Sequence, residues 1–298
     1  MSDQIDKIYR HKEIPLNVCH FTTLPSTQTW AYDNIDVLVS SEKLSPKVWT
    51  VITADNMTSG IGSYDHKTLK SRVWCTSHGK NLNATYITLR RRNFSEESDK
   101  HILNLSLYTL GIALTVCKIL GEFGIKEPKI KWVNDIYVNG KKLGGILSKQ
   151  LEKRYVFEHA EYEPVVFGIG LNVLHDECDL PKNVETPATS VKLESALDSS
   201  FIQVNNILER LHLEVIKSVT NINSSVYVGF QDTILTEINK RLLYKGNVVR
   251  ILDYEEEGNE MEMGIFQGVD KNGFAIIKSS KVNGCELKLS HGRIKFDG

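Results

Sequence analysis

The chain has 298 residues, of which 41% are hydrophobic and 24% charged, with a formal net charge of −1; that allows one large core, or a large domain plus a small one, and supplies no global field to draw it onto nucleic acid or an anionic membrane. Its five cysteines (Cys19, Cys75, Cys117, Cys178 and Cys285) make no C-x-x-C pair and no Cys/His cluster, so free thiols are expected rather than a disulfide framework or a zinc site. The N-terminus lacks the apolar region of a secretory signal and no apolar run approaches the ~18 residues of a membrane span, so a cytoplasmic protein is expected, and N-x-[ST] sequons such as Asn56-Met57-Thr58 read as chance matches.

In chain order, residues 18–30 read as a short strand, a turn at Leu24-Pro25 and a helix start with Ser26 or Thr27 as N-cap. Trp49 to Ala54 reads as a buried strand, Asp55 to Arg72 as a long loop, and Asn83 to Leu89 as an alternating strand. The apolar stretch from His101 to Phe123 predicts a largely buried central helix, stopped at Gly124. Ile130 to Leu147 predicts a hairpin, because Asn139-Gly140 suits a type I′ turn, which needs positive φ twice. Tyr155 to His159 and Val165 to Val173 form a second expected strand pair. Val204, Ile207, Leu208, Leu211 and Val215 recur at helical spacing, which predicts an amphipathic helix over about 200–219.

From about Leu242 short strands alternate with turns at Glu256-Glu257-Gly258-Asn259, Lys271-Asn272-Gly273 and Asn283-Gly284, the texture of a small barrel-like module. The boundary falls near 235–243, dividing the chain into 1–240 and 241–298. Hairpins dominate over β-α-β alternation, so the larger part is expected to be α+β with a mixed, mainly antiparallel sheet.

Three segments could carry chemistry. In the first, Asn134 and Asp135 interrupt an apolar strand, and Lys142 and the pair Gly144-Gly145 follow the tight turn. Rigid elements presenting a lysine, a carboxylate and bare backbone suit an anionic, phosphate-containing ligand; a surface salt bridge beside a hairpin is the alternative. The second is Thr58-Ser59-Gly60-Ile61-Gly62-Ser63, whose amides could form an anion nest or a plain loop; Asp65 stands where a dinucleotide fingerprint needs its third glycine. The third, Gly168-Ile169-Gly170-Leu171-Asn172-Val173, has small residues in a core strand, for close packing or as a wall for a flat ligand, with Asn172 either structural or near a phosphate. The nine histidines show no metal or triad grouping, and no nucleophile elbow or P-loop occurs.

Together these segments resemble the catalytic region of biotin protein ligases. The family pattern K-W-P-N-D, hairpin, K-[LIV]-[AG]-G-I-L reads here Lys131-Trp132-Val133-Asn134-Asp135 and Lys142-Leu143-Gly144-Gly145-Ile146-Leu147. Gly168 to Val173 is similar to the family's G-[IA]-G-[IL]-N-V strand, Ala188-Thr189-Ser190-Val191 to its A-T-S-L, and Ser26-Thr27-Gln28 to its S-T-N, all in the family's order across roughly residues 18 to 298. There are departures in the family's biotin-binding loop, Q-x-x-G-R-G-R-x-x-R-x-W. Met57 stands at the Gln position, Ile61 and Ser63 at the first two Arg positions, and about six extra residues precede Arg72-Val73-Trp74.

The resemblance implies a class II synthetase-like catalytic domain with an SH3-like barrel at the C-terminus. It implies biotin and ATP as substrates with Mg²⁺, formation of biotinyl-5′-AMP, and transfer of biotin to a lysine of a biotin carboxyl carrier domain. No nucleic-acid or membrane partner is expected, and the chain is expected as a monomer or homodimer. Lys142, Arg72 and Asp135 are the implied catalytic groups: two cations for carboxylate and phosphate oxygens, and a carboxylate to orient or deprotonate the carrier amine or, alternatively, to hold Lys142. Biotin is implied to meet Ser26, Thr27, Gln28, Met57, Gly60, Ile61, Gly62, Trp74, Lys142 and Gly145. ATP is implied to meet Gly60, Gly62, Ser63, Arg72, Trp74, Asn134, Lys142 and Asn172, with Asn134 or Asn172 near the metal and no certain protein ligand to it. A lipoate ligase or octanoyltransferase, a non-catalytic biotin-binding or regulatory protein, and a carrier-binding scaffold are the competing readings.

Overall fold

The computed structural model describes residues 5–65, 70–92, 105–182, 186–223, 228–252, 260–280, 285–290 and 292–296. The first half contains β1 (Lys7–Arg10), β2 (Leu16–Leu24), α1 (Thr27–Ser40), β3 (Trp49–Met57), β4 (Gly60–Asp65), β5 (Lys70–Trp74), β6 (Asn81–Arg91) and α2 (Leu105–Glu122). Next come β7 (Lys129–Lys131), β8 (Asp135–Val138), β9 (Lys141–Gln150), β10 (Tyr155–Phe157), β11 (Ala160–Asn172), α3 (Val191–Glu194), α4 (Val204–Asn223) and α5 (Val228–Arg241). The C-terminal part holds β12 (Val248–Leu252), β13 (Glu260–Val269), β14 (Ala275–Ser279), β15 (Glu286–Leu289) and β16 (Arg293–Lys295).

Nine strands form one mixed sheet in the order β1-β2-β3-β6-β11-β9-β8-β7, with β10 paired to β11. β2 and β3 are parallel because α1 crosses over between them; the other pairs in this sheet are antiparallel, as expected of an α+β fold. Strand alternation sends side chains to two cores. From β6, Leu82, Ala84 and Tyr86 enter the core beneath α2 and α4, while Ile87 and Leu89 enter a second core under α1. α4 buries Ile207, Leu211, Val215 and Val219 at the i, i+4 spacing read from the sequence, and each such side chain contributes about 1.5–3 kcal/mol on burial.

α2 is the expected central helix, and Gly124 follows it at φ +79°. By length and composition it is apolar enough to cross a membrane, contrary to the sequence reading, but two thirds of it (67%) is buried between the sheet and other helices. The helix start expected before Leu105 lies outside the described residues.

Two expectations need correction. Residues 55–72 are not one long loop: β3 runs on to Met57, and β4 and β5 pair as an antiparallel ladder. Ile130 to Leu147 is three strands rather than a simple hairpin, because the chain reverses a first time at Trp132-Val133-Asn134, where the Trp132–Val133 peptide is cis. The second reversal is the expected Asn139-Gly140 turn, with φ of 49° and 76°. α5 is tied to the C-terminal strands: Asn239 on it donates to the Val269 carbonyl (3.2 Å) and accepts from the Val269 amide (3.0 Å). β1, mostly exposed, has no apolar alternation and was missed.

The C-terminal strands form an antiparallel sheet in the order β15-β14-β13-β12-β16. Its inward face, with Val249, Ile251, Phe266, Ile277 and Ile294, belongs to the same core as α2. Trp132 Nε1 donates to the Gly273 carbonyl (3.0 Å) and the Leu243 amide to the Ile130 carbonyl (2.8 Å), so this sheet docks directly on the K-W-V-N-D segment. The turns expected at 256–259 and 283–284 lie outside the described residues.

Candidate active site

The α1 face of the sheet is left bare beyond the start of that helix, and there the site forms. Ser26 caps α1, accepting from the Thr29 amide (3.3 Å), and this fixes Thr27 and Gln28 on the first turn above the sheet. The floor comes from β6, β9 and β11, whose register sets Thr85 opposite Gly168 and Asn83 opposite Gly170. The β4–β5 hairpin covers the floor and brings in Trp74, whose Nε1 donates to Asn83 Oδ1 (3.2 Å).

The two small residues of β11 are used as contact surfaces. A Cβ on Gly170 would lie 2.8 Å from Trp74 Cε2, and one on Gly168 2.2 Å from Gln28 Oε1, so no larger residue leaves room for those side chains. The cavity so enclosed is small, about 60 Å³, and opens at a mouth.

The charged wall stands on β8 and β9. Asp135 and Gly145 are paired across the ladder, and Lys142 Nζ lies 2.7 Å from Asp135 Oδ1. Both side chains are mostly covered, at 28% and 17% exposure, so the attraction is screened less than at an open surface. The Lys142 backbone is held on its other side by Pro187 and Thr189: its amide donates to the Pro187 carbonyl (2.8 Å), and its carbonyl accepts from the Thr189 amide (2.9 Å). Asn134 is fixed by mutual bonds with Ile146, its Nδ2 donating to the Ile146 carbonyl (3.0 Å) and its own carbonyl accepting from the Ile146 amide (2.8 Å).

A second compartment of about 220 Å³ adjoins the first along Ser63, Asn134, Asp135, Ile146 and Leu147. It is bounded by Arg72, by the start of α2 and, from the C-terminal sheet, by Gly292 and Arg293. Arg72 Nε is buried there without a hydrogen-bond partner among the described residues, which leaves a donor for an anion.

Thus Ser26, Thr27, Gln28, Met57, Ile61, Gly62, Ser63, Trp74, Asn134, Asp135, Lys142 and Gly145 converge on one cavity, and Arg72 borders its neighbour. Two expected residues are placed elsewhere. Gly60 sits at the hairpin base, where a Cβ would lie 2.4 Å from the Trp74 carbonyl. Asn172 is buried away from both compartments, accepting from Asn81 (3.1 Å) and donating to the Thr189 carbonyl (3.0 Å). Gly60 and Ile61 are ladder partners of Trp74 and Val73, and the register shifts between Ile61 and Tyr64, so Gly62 lies in a bulge of the hairpin. Asn83 and Thr85 were not among the expected residues, whereas Gly168 and Gly170 make the close packing that their small size left open as one of two readings. The signal was present: Asn81, Asn83 and Thr85 recur at the two-residue period on one face of an apolar strand.

A model of the biotin/lipoate A/B protein ligase family matches residues 22–161. The bifunctional ligase/repressor BirA of Bacillus subtilis is 31% identical over 163 residues, 52% of this chain and 44% of its own length. Biotin–protein ligase 2 of Arabidopsis thaliana is 26% identical, over 57% of this chain and 52% of its own. The chain therefore spans about half the length of the curated relatives it matches. Among solved structures, the biotin protein ligase of Aquifex aeolicus in complex with biotin and ATP superposes with a TM-score of 0.64 at 20% identity, covering 93% of this chain and 97% of that one, a likeness of fold. The matched stretch, residues 22–161, includes the α1 start, the hairpin cover and the Asp135–Lys142 wall, and over that stretch the chain is similar to the biotin/lipoate A/B protein ligase family.

Proposed function

We propose that the protein is a biotin protein ligase that forms biotinyl-5′-AMP from biotin and ATP and transfers biotin to a lysine of a biotin carboxyl carrier domain. The observation that carries this reading is the Lys142–Asp135 pair, 2.7 Å apart, at the wall of the first cavity where it meets the second. In the first half-reaction a biotin carboxylate oxygen attacks the α-phosphorus, and pyrophosphate leaves. Two anions must approach, so Lys142 and Arg72 are assigned to offset their repulsion. In the second, the carrier amine attacks the acyl carbon, the bond to AMP breaks, and Asp135 takes the amine proton.

The far end of the first cavity supports biotin over lipoate. Ser26 and Thr27 line it, and Gln28 Oε1, left over because its Nε2 bonds Tyr32 and the Leu147 carbonyl, can accept from a ureido N–H, whereas a dithiolane carries no such donor. Mg²⁺ enters this reading with the nucleotide, where it offsets phosphate charge. Its protein donors would be Asn134 Oδ1, left over because Nδ2 is engaged by the Ile146 carbonyl, and Asp135. We also read residues 241–298 as an SH3-like barrel attached to a catalytic part, 1–240; the sharp bend of β13 at Gly268 (φ +129°) is the feature that favours closure.

The test is pyrophosphate release from ATP with biotin, lipoate or neither, followed by transfer to an apo carrier domain. Biotin-dependent release is expected. Lys142→Ala should lower the adenylation rate by on the order of 10²–10³. Lipoate-dependent release, or a Lys142→Ala protein working at the wild-type rate, would overturn the assignment.

A further inference from the structure

We infer that Tyr32 and the Leu147 carbonyl lock the Gln28 side chain so that it meets a ligand only as a hydrogen-bond acceptor, making Tyr32 a positioning residue for recognition of a ring N–H. The inference rests on the proposed function and specifies how its biotin pocket discriminates.

Gln28 is 4% exposed, on the first turn of α1. Its Nε2 lies 3.1 Å from the Leu147 carbonyl oxygen and 2.5 Å from the Tyr32 hydroxyl oxygen. A backbone carbonyl carries no proton, so the amide atom facing it must be the nitrogen, and the orientation of the amide follows from chemistry alone. An amide nitrogen has two protons, and both are then engaged by the protein. What remains for a ligand is Oε1, which can only accept, held over Gly168 in the cavity wall.

Tyr32 is suited to this duty. It stands one helical turn after Gln28, so the two side chains share a face of α1. Burial pushes its phenol up to about 12, so it stays neutral and accepts through oxygen at any physiological pH. The neighbouring polar groups serve other partners. Thr85 Oγ1 donates to Thr27 Oγ1 (2.9 Å), while the Thr27 amide and hydroxyl lie 3.4 and 3.7 Å from the Met57 sulfur. Met57 itself offers a ligand no N–H and no strong acceptor. The task of accepting a ring N–H at this end thus falls to Gln28 Oε1.

The experiment compares wild type, Tyr32→Phe and Gln28→Met in adenylation kinetics and titration calorimetry, with biotin and with biotin methylated on its ring nitrogens. Wild type should favour biotin by tenfold or more over the methylated analogue. Tyr32→Phe frees one amide proton and unlocks the side chain, so KM for biotin should rise about tenfold with kcat little changed, and KM for the analogue should barely move. Gln28→Met, which keeps length but not polarity, should show the same collapse of discrimination and stands in if Tyr32→Phe folds poorly. Discrimination retained in both variants, or affinity for both ligands lost in parallel, overturns the inference while leaving the ligase reading intact. A wild-type protein that binds neither compound overturns the ligase reading and this inference with it.

Discussion

Gly170→Ala isolates the contact between the sheet and its hairpin cover. The added Cβ would lie 2.8 Å from Trp74 Cε2, 3.0 Å from Cζ2 and 3.1 Å from Nε1, against about 3.5–4.0 Å for comfortable carbon contacts. β11 is paired on both sides, with Gly170 opposite Asn83 and Gly145, so the strand cannot yield and the indole must lift by roughly 0.7–1 Å. That movement carries Nε1 away from Asn83 Oδ1, now 3.2 Å distant, beyond hydrogen-bonding range. The lost bond and the tilted wall together cost about 1 kcal/mol, which corresponds to biotin binding weakened roughly five- to tenfold. Trp74 belongs to a half-exposed hairpin, so global stability should fall little, by about 2–4 °C in Tm. Titration calorimetry with biotin, indole fluorescence and differential scanning calorimetry measure the three effects. Unchanged affinity would refute the indole as a wall of the site, and a loss of more than about 3 kcal/mol in stability would show that the strand, not the indole, gives way.

Two further predictions concern the scaffold. His212, on the buried face of α4, has Nδ1 2.9 Å from the Tyr86 hydroxyl, and burial, aided by nearby His11, pulls it down to about 4. The unfolded chain protonates near 6.5 while the fold resists it, so stability is full above pH 6.5 and declines as pH falls toward 4, by roughly 3 kcal/mol at the limit. Melting curves at pH 7.5 and 5 should show this decline in wild type and less of it in His212→Gln; equal slopes would refute the assignment. Trp132→Phe removes the buried donor to the Gly273 carbonyl and should cost about 1–2 kcal/mol. Hydrogen exchange should rise first in β14 if that bond holds the C-terminal sheet; uniform acceleration along the whole chain would argue otherwise.

Much of the scaffold was legible because its signals are local. Ser26 caps α1 as its position suggested, Gly124 ends α2, and Asn139-Gly140 makes the turn that presents Lys142. The misses have physical causes. β1 carries no buried alternation, and β4–β5 is rich in small and polar residues that read as loop until they find each other as ladder partners. Asn172 stood even between structural and ligand-binding roles because an amide beside glycines suits either; its bonds to Asn81 and Thr189 join segments 91 and 17 residues away.

The sequence alone determined the order of the motifs, the turn that sets Lys142 beyond Asp135, and the helix faces that must be buried, because each depends on neighbours within one or two turns of chain. Tertiary structure alone decided that Thr85 and Asn83 face Gly168 and Gly170, that Trp74 folds onto the sheet, and that Tyr32 with the Leu147 carbonyl fixes one amide. Those contacts depend on strand register and on separations of up to 119 residues. A slip of one residue would turn each side chain to the opposite face of the sheet, and only packing of both cores at once fixes the register.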